Sequence, residues 1–165
     1  MQKKTVLIGV VIAILLVAAM AVTVAARGQS ELAQVRAATA QFQRVEVAEA
    51  AGYVNVNVGE CVAHPELGGM GYHFVNFDLV DLELDSLQPE ILVYAPSPSG
   101  NLKLVAVEYA VPIQPWDALY DQPPSVLGQH LHPNPHLGLY VLHAWIWQNN
   151  PAGMFEDWNP TVSCD

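Results

Sequence analysis

The chain has 165 residues, with 16 acids against six lysines and arginines and a formal charge of −10 at pH 7. That length suits one domain rather than two, and an acid excess of this size repels phosphate backbones, which excludes nucleic acid as a partner. Hydrophobic residues make up 52% of the chain, which excludes a disordered composition.

Lys3 and Lys4 precede an uncharged run from Thr5 to Ala26 (TVLIGVVIAILLVAAMAVTVAA). A positive start, an apolar stretch and small closing residues are the pattern of an export signal, with Val24 and Ala26 suiting cleavage before Arg27. The run also matches the roughly 20 residues of a membrane span, so an uncleaved transmembrane anchor is the alternative. Either way the lysines lie ahead of the span. Residues 27–165 are therefore expected outside the cytoplasm, as a single secreted, periplasmic or membrane-attached domain. The only cysteines are Cys61 and Cys164. In an exported chain such a pair reads as a disulfide, with two buried thiols as the plainer alternative.

Residues 30–51 read SELAQVRAATAQFQRVEVAEAA. Leu32, Val35, Thr39, Phe42 and Val45 recur every three or four residues and predict one amphipathic helix, with Ser30 as its N-cap and Gly52 as its stop. Arg36, Gln43 and Glu46 are expected to face solvent. After Tyr53 the pattern changes to apolar runs separated by Pro, Gly, Asn and Asp. Strands are predicted at 71–79, 91–94, 102–111 and 138–147, and PSPSGN (96–101) has the character of a hairpin loop. Residues 116–120 suit a short helical turn and LHPNPH (131–136) a loop, while NPAG (150–153) fits a type I turn. The glycines of GGMG (68–71) suit a tight turn with positive φ better than a phosphate cradle. One helix followed by several strands implies an α+β domain: an N-terminal amphipathic helix packed on a mainly antiparallel, curled sheet with a long C-terminal tail.

Side chains alternate between the faces of a strand. His143 then shares a face with Val141, Trp145 and Trp147; His73 with Val75, Phe77 and Leu79; Glu108 with Leu104, Ala106 and Ala110. Three strands each place one ionisable group among apolar neighbours. An unpaired charge there is costly, so the three are expected to face one another or to share a metal ion. Two imidazoles and a carboxylate suit one transition metal ion: zinc, copper, iron or manganese. His132 and His64 are candidates for a fourth ligand, and Met70 would favour copper. The plainer reading of each histidine, taken singly, is a hydrogen-bonded core or rim residue. For the metal reading, the donor atoms must lie within about 4–5 Å of a common point.

A second constellation is aromatic. Trp116, Trp145 and Trp147, with Trp158, could line an apolar cleft for a small ligand, which would make the domain a non-catalytic binding or interaction module. Core packing beneath a folded C-terminal tail is the preferred reading of the same residues. Glu156 and Asp157 are adjacent acids, a poor geometry for a hydrolytic pair. Nucleophile motifs such as GxSxG do not occur.

The segments GGMGYHFVN (68–76), PEILVY (89–94), LVAVEY (104–109) and LHAWIWQNNPAGMFEDWNPTVSC (142–164) resemble a family of uncharacterised exported bacterial proteins. The similarity spans nearly all of residues 27–165. It implies an exported single-domain protein and transfers no catalytic or binding residue.

Overall fold

The structure, a computed structural model, describes residues 28–56 and 60–164. The apolar run read as a signal or anchor lies outside them. Among the described residues no helix is long and apolar enough to cross a membrane.

Helix α1 covers 28–39 and tightens into a 3-10 turn at Ala40–Gln43. Its apolar stripe lies on the sheet as expected, with Val35 and Thr39 buried and Leu32, Phe42 and Val45 at the margin. The single helix predicted over 30–51 is broken, however. Arg44 is extended (φ −101°, ψ 121°), and a separate helix α2 runs Val45–Ala50. The break has a partner in the sheet: the Tyr94 hydroxyl donates to the Phe42 carbonyl at 2.6 Å. In an unbroken helix that carbonyl would accept the N–H of Glu46. One further expectation is corrected at this end: Ser30 lies within α1 rather than capping it. Arg36 is exposed as expected, and its Nε donates to the carbonyl of Ile146, fastening the helix to the end of the sheet.

The strands are β1 (Val54–Asn55), β2 (Val62–His64), β3 (Gly68–Val75), β4 (Ile91–Pro96) and β5 (Leu102–Pro112). After a short helix α3 (Ile113–Asp117) come β6 (Ser125–Val126), β7 (Gln129–His130), β8 (His132–Asn134) and β9 (Leu139–Ala144). Seven of them build one antiparallel, unclosed sheet in the order β1–β3–β4–β5–β9–β8, with β2 pairing β3 beside β1. Strands β6 and β7 form a separate hairpin. LHPNPH is not only a loop, because His132–Asn134 pairs with β9. Pro133 is tolerated there because β8 is an edge strand with no ladder to complete on its outer side.

The sheet is covered on both faces. Phe74, Leu92, Tyr94, Tyr109 and Leu142 pack under the helices. Val75, Ile91, Val93, Ala110 and Val141 form the opposite face, joined by Trp145 and Val162 of the C-terminal segment. Every residue of β5 from Leu104 to Val111 is buried. A register shift after Val93 sets Leu104 opposite Tyr94, on the helix side. This bulge overturns the simple alternation that grouped Leu104 with Glu108.

The tail lies over GGMG, which is strand and not a tight turn. Gly69 and Asn159 exchange N–H···O bonds of 3.1 and 3.0 Å. A Cβ on Gly69 would stand 2.8 Å from Val162 Cγ1, so only glycine lets the tail approach so closely. Positive φ angles at Gly68 (94°) and Gly71 (117°) fall within this stretch. Cys61 and Cys164 are joined by a disulfide across 103 residues of sequence. In the NPAG segment the Gly153 N–H reaches the Asn150 carbonyl at 3.2 Å, as the expected turn requires.

Glu90, at the start of β4, is 1% exposed and accepts the N–H of Ala110 at 3.0 Å through Oε2. Burial, with the nearby carboxylates of Asp81 and Asp85, pushes its carboxyl up to about 8. The folded state thus holds the proton more tightly than the unfolded chain. That contribution is complete below about 4.5 and is lost as pH climbs through about 8. Thermal unfolding followed from pH 5 to 9 should show stability falling by a few kcal/mol, and Glu90→Gln should flatten the decline. An identical slope in the variant would remove Glu90 as its source. Reducing the disulfide should release about 4–5 kcal/mol of chain entropy to the unfolded state. The expected fall in melting temperature is on the order of 10 °C, and an unchanged melt under strong reductant would show that the bridge contributes nothing.

Candidate metal centre

His73 comes from β3, Glu108 from β5 and His143 from β9, all on the face away from the helices. Glu108 stands directly opposite His143 in the β5–β9 register. His73 pairs with Val93 on the intervening strand β4, so the His73 and Glu108 side chains lean toward each other across two strand spacings, roughly 9–10 Å, to meet. His73 Nε2 lies 3.5 Å from Glu108 Oε2, and His143 Nδ1 lies 3.6 Å from Glu108 Oε1. The two imidazoles meet edge to face at 5.7 Å between centroids. One donor atom from each residue falls within 4.8 Å of the other two. The side chains are 12%, 6% and 2% exposed for His73, Glu108 and His143. Expected convergence and observed geometry therefore agree for these three.

Apart from the bulge at Leu104, parity failed where strands end. Strand β3 stops at Val75, so Leu79 crosses to the helix side, while Phe77 stays on the histidine face but stands out at the surface. Strand β9 stops at Ala144, and Trp147 turns to the helix side as well, donating through Nε1 to Thr39 Oγ1 at 3.1 Å. Trp145 stays beside the site, its ring stacked 6.1 Å from that of His143. Its Nε1 donates to the Glu156 carbonyl at 2.6 Å, and its backbone N–H to the Met154 carbonyl at 2.9 Å.

These tail contacts deliver a group that sequence reasoning considered only as half of a hydrolytic pair. Asp157 Oδ1 lies 3.4 Å from His143 Nδ1, and Asp157 Oδ2 lies 3.3 Å from His132 Nε2. At 3.4 Å the first is an ion-pair contact rather than a full hydrogen bond. Both ring nitrogens of His143 and Oδ1 of Asp157 are buried without a hydrogen-bond partner. Burial pulls the His143 imidazole down, but the facing carboxylates of Glu108 and Asp157 outweigh it and leave it raised. His73 is held low, by burial first and by His143 beside it, against the pull of Glu108. Contact with His143 holds the Asp157 carboxyl below its usual range.

The other candidates disperse. His132 touches Asp157 but is outside the three-residue group. His64 sits on β2, where Nδ1 accepts the N–H groups of Glu66 and Leu67 at 3.1 and 3.2 Å and closes the turn into β3. Its ring packs on Trp158 at 5.4 Å, so its lone pair is engaged away from the centre. Met70 lines the cavity above the centre. The tryptophans form no common cleft: Trp145 is buried on one face, and Trp147 and Trp116 belong to the other. Trp116 stacks on Tyr120 and donates to the Gln122 carbonyl. Only Trp158 of the four lines a sizeable cavity on the histidine face.

The comparisons add no name to this geometry: no family model, no curated protein and no solved structure matches the chain.

In metal-free protein, Asp157→Asn should lower the titration of His143 measured by imidazole proton shifts, because one of its two carboxylate partners is lost. An unmoved titration would detach Asp157 from the centre.

Proposed function

We propose that this domain binds one divalent transition metal ion through His73, Glu108 and His143. The observation that carries the reading is the burial of two imidazoles and a carboxylate, from three strands, around one point on an otherwise apolar face. Donors bound to a common ion at 2.0–2.2 Å in tetrahedral arrangement stand about 3.4 Å apart. The two histidines approach different oxygens of Glu108 at 3.5 and 3.6 Å, and one donor atom from each residue lies within 4.8 Å of the others, so the three need only draw together slightly around an ion. Two histidines and one carboxylate suit zinc or iron(II), and such a set leaves coordination positions open. Copper and manganese remain within the chemistry of the donors. Asp157 supplies a further carboxylate beside the ion, because its Oδ1 faces the same His143 Nδ1 that Glu108 faces. The disulfide supports an oxidising, extracytoplasmic setting. An export signal or membrane anchor at 5–26 fits the same setting, and the acidic charge argues against nucleic acid as a partner.

The test is elemental analysis of untagged domain, exported through an oxidising compartment and purified without chelator. Close to one metal ion per chain is expected, lost in His143→Ala and in the near-isosteric Glu108→Gln, and retained in His64→Ala. Where His143 is protonated, binding should release that proton, because the ion and the proton compete for the same ring nitrogen. Affinity should therefore weaken as pH falls, by up to about tenfold per unit once His143 is protonated. Absence of metal, with no stabilisation by added zinc, copper, iron or manganese, would make the three residues a structural polar cluster.

A further inference from the structure

A cavity of about 670 Å³ opens above His73, Glu108 and His143. That volume falls within the roughly 300–1,000 Å³ of sites that enclose small molecules. Its floor is polar and its walls are mainly apolar, with Asn134 and His136 the polar exceptions. Val75, Ile91 and Val141 of the sheet surround the floor, and Val62 and Leu139 rise from the two flanking hairpins. At the mouth stand Phe77 and Leu137, 64% and 63% exposed. Large side chains this exposed, collected at one opening, are the composition of a binding site rather than of ordinary surface. The floor also holds His143, 1% exposed, with both ring nitrogens unpartnered.

The charges at the floor narrow the occupant. A divalent ion set on Glu108, with Asp157 beside it, is already balanced by two carboxylates. An anionic head group would leave an excess negative charge in a buried site, which is costly. A neutral oxygen donor would fill an open coordination position without that cost. We propose that the cavity takes a small, uncharged, largely hydrocarbon or aromatic molecule with one oxygen donor, an alcohol, phenol or carbonyl, inserted head first toward the centre. This rests on the metal reading above. The body lies among the valines and leucines of the walls, and Phe77 and Leu137 close over its outer end.

The experiment uses the domain loaded with cobalt(II), whose visible bands report on coordination, and three probes: octan-1-ol, 4-propylphenol and octanoate. The neutral probes should shift the bands and bind at least tenfold more tightly than octanoate. Phe77→Asp and Leu137→Asp alter exposed rim positions and no metal ligand. They should take up cobalt like wild type and weaken the neutral probes at least tenfold. Cobalt uptake with bands indifferent to all three probes overturns this inference and leaves the metal centre standing. Octanoate binding as tightly as the neutral probes overturns the uncharged head, and rim variants that bind like wild type overturn the placement of the body. Failure to take up cobalt at all removes the metal centre and this inference together.

Discussion

Strand β5 is covered on both faces, and Glu108 stands in its middle with its side chain 6% exposed. A carboxylate in that position loses nearly all of its hydration, and the loss must be made good by neighbours of opposite or convertible charge. His143 stands opposite it on β9, and His73 reaches it over β4. The antiparallel order β3–β4–β5–β9 is what makes both approaches possible. Replacing any of the three leaves the others with an uncompensated charge or an unpartnered ring nitrogen, so the cluster is coupled in stability as it is in chemistry.

Closure of this centre depends on the last residues of the chain. Trp145 fixes the carbonyl of Glu156, and Asp157 follows it directly onto His143. Asn159 docks on Gly69, where a larger residue would collide with Val162, and the disulfide holds Cys164 beside Val62. Tail, glycine strand and disulfide form one assembly. Its mechanical effect is to keep a second carboxylate on the histidine face and to press one wall of the cavity, Trp158, into place. Stability of the bridge and order at the candidate metal centre are linked through this path.

The two sides of the sheet have different work. The helix side is a conventional apolar core, with buried tyrosine hydroxyls passed to backbone carbonyls: Tyr53 to Pro89, Tyr94 to Phe42 and Tyr109 to Ser86. These contacts satisfy polar groups completely, as a stable interior requires. The opposite side leaves His143 and Asp157 unsatisfied above an apolar cavity. Among the described residues, three of the four buried polar atoms without a hydrogen-bond partner lie at this place, the fourth being Gln148 Oε1, and that concentration is what supports the proposed site.

Much of this was legible in the residues themselves. Alternation in three short runs was enough to set His73, Glu108 and His143 on one face, because side-chain parity is a local property of a strand. The helical stripe through Leu32, Val35, Thr39 and Phe42 and the pairing of two lone cysteines were legible for equally local reasons. Parity carried no information past the last hydrogen-bonded residue, which is why Leu79 and Trp147 went elsewhere, and none across the bulge that moved Leu104. The break at Arg44 depended on a tyrosine far along the chain. His64 is taken up by the turn of its own neighbours Glu66 and Leu67, and His132 by an aspartate farther along the chain, so neither could be ranked as a ligand from its spacing. Asp157 joined the centre only because the tail folds back over the sheet. Such contacts join residues distant in sequence, and their partners are chosen by strand register and chain return, which only the tertiary structure decides.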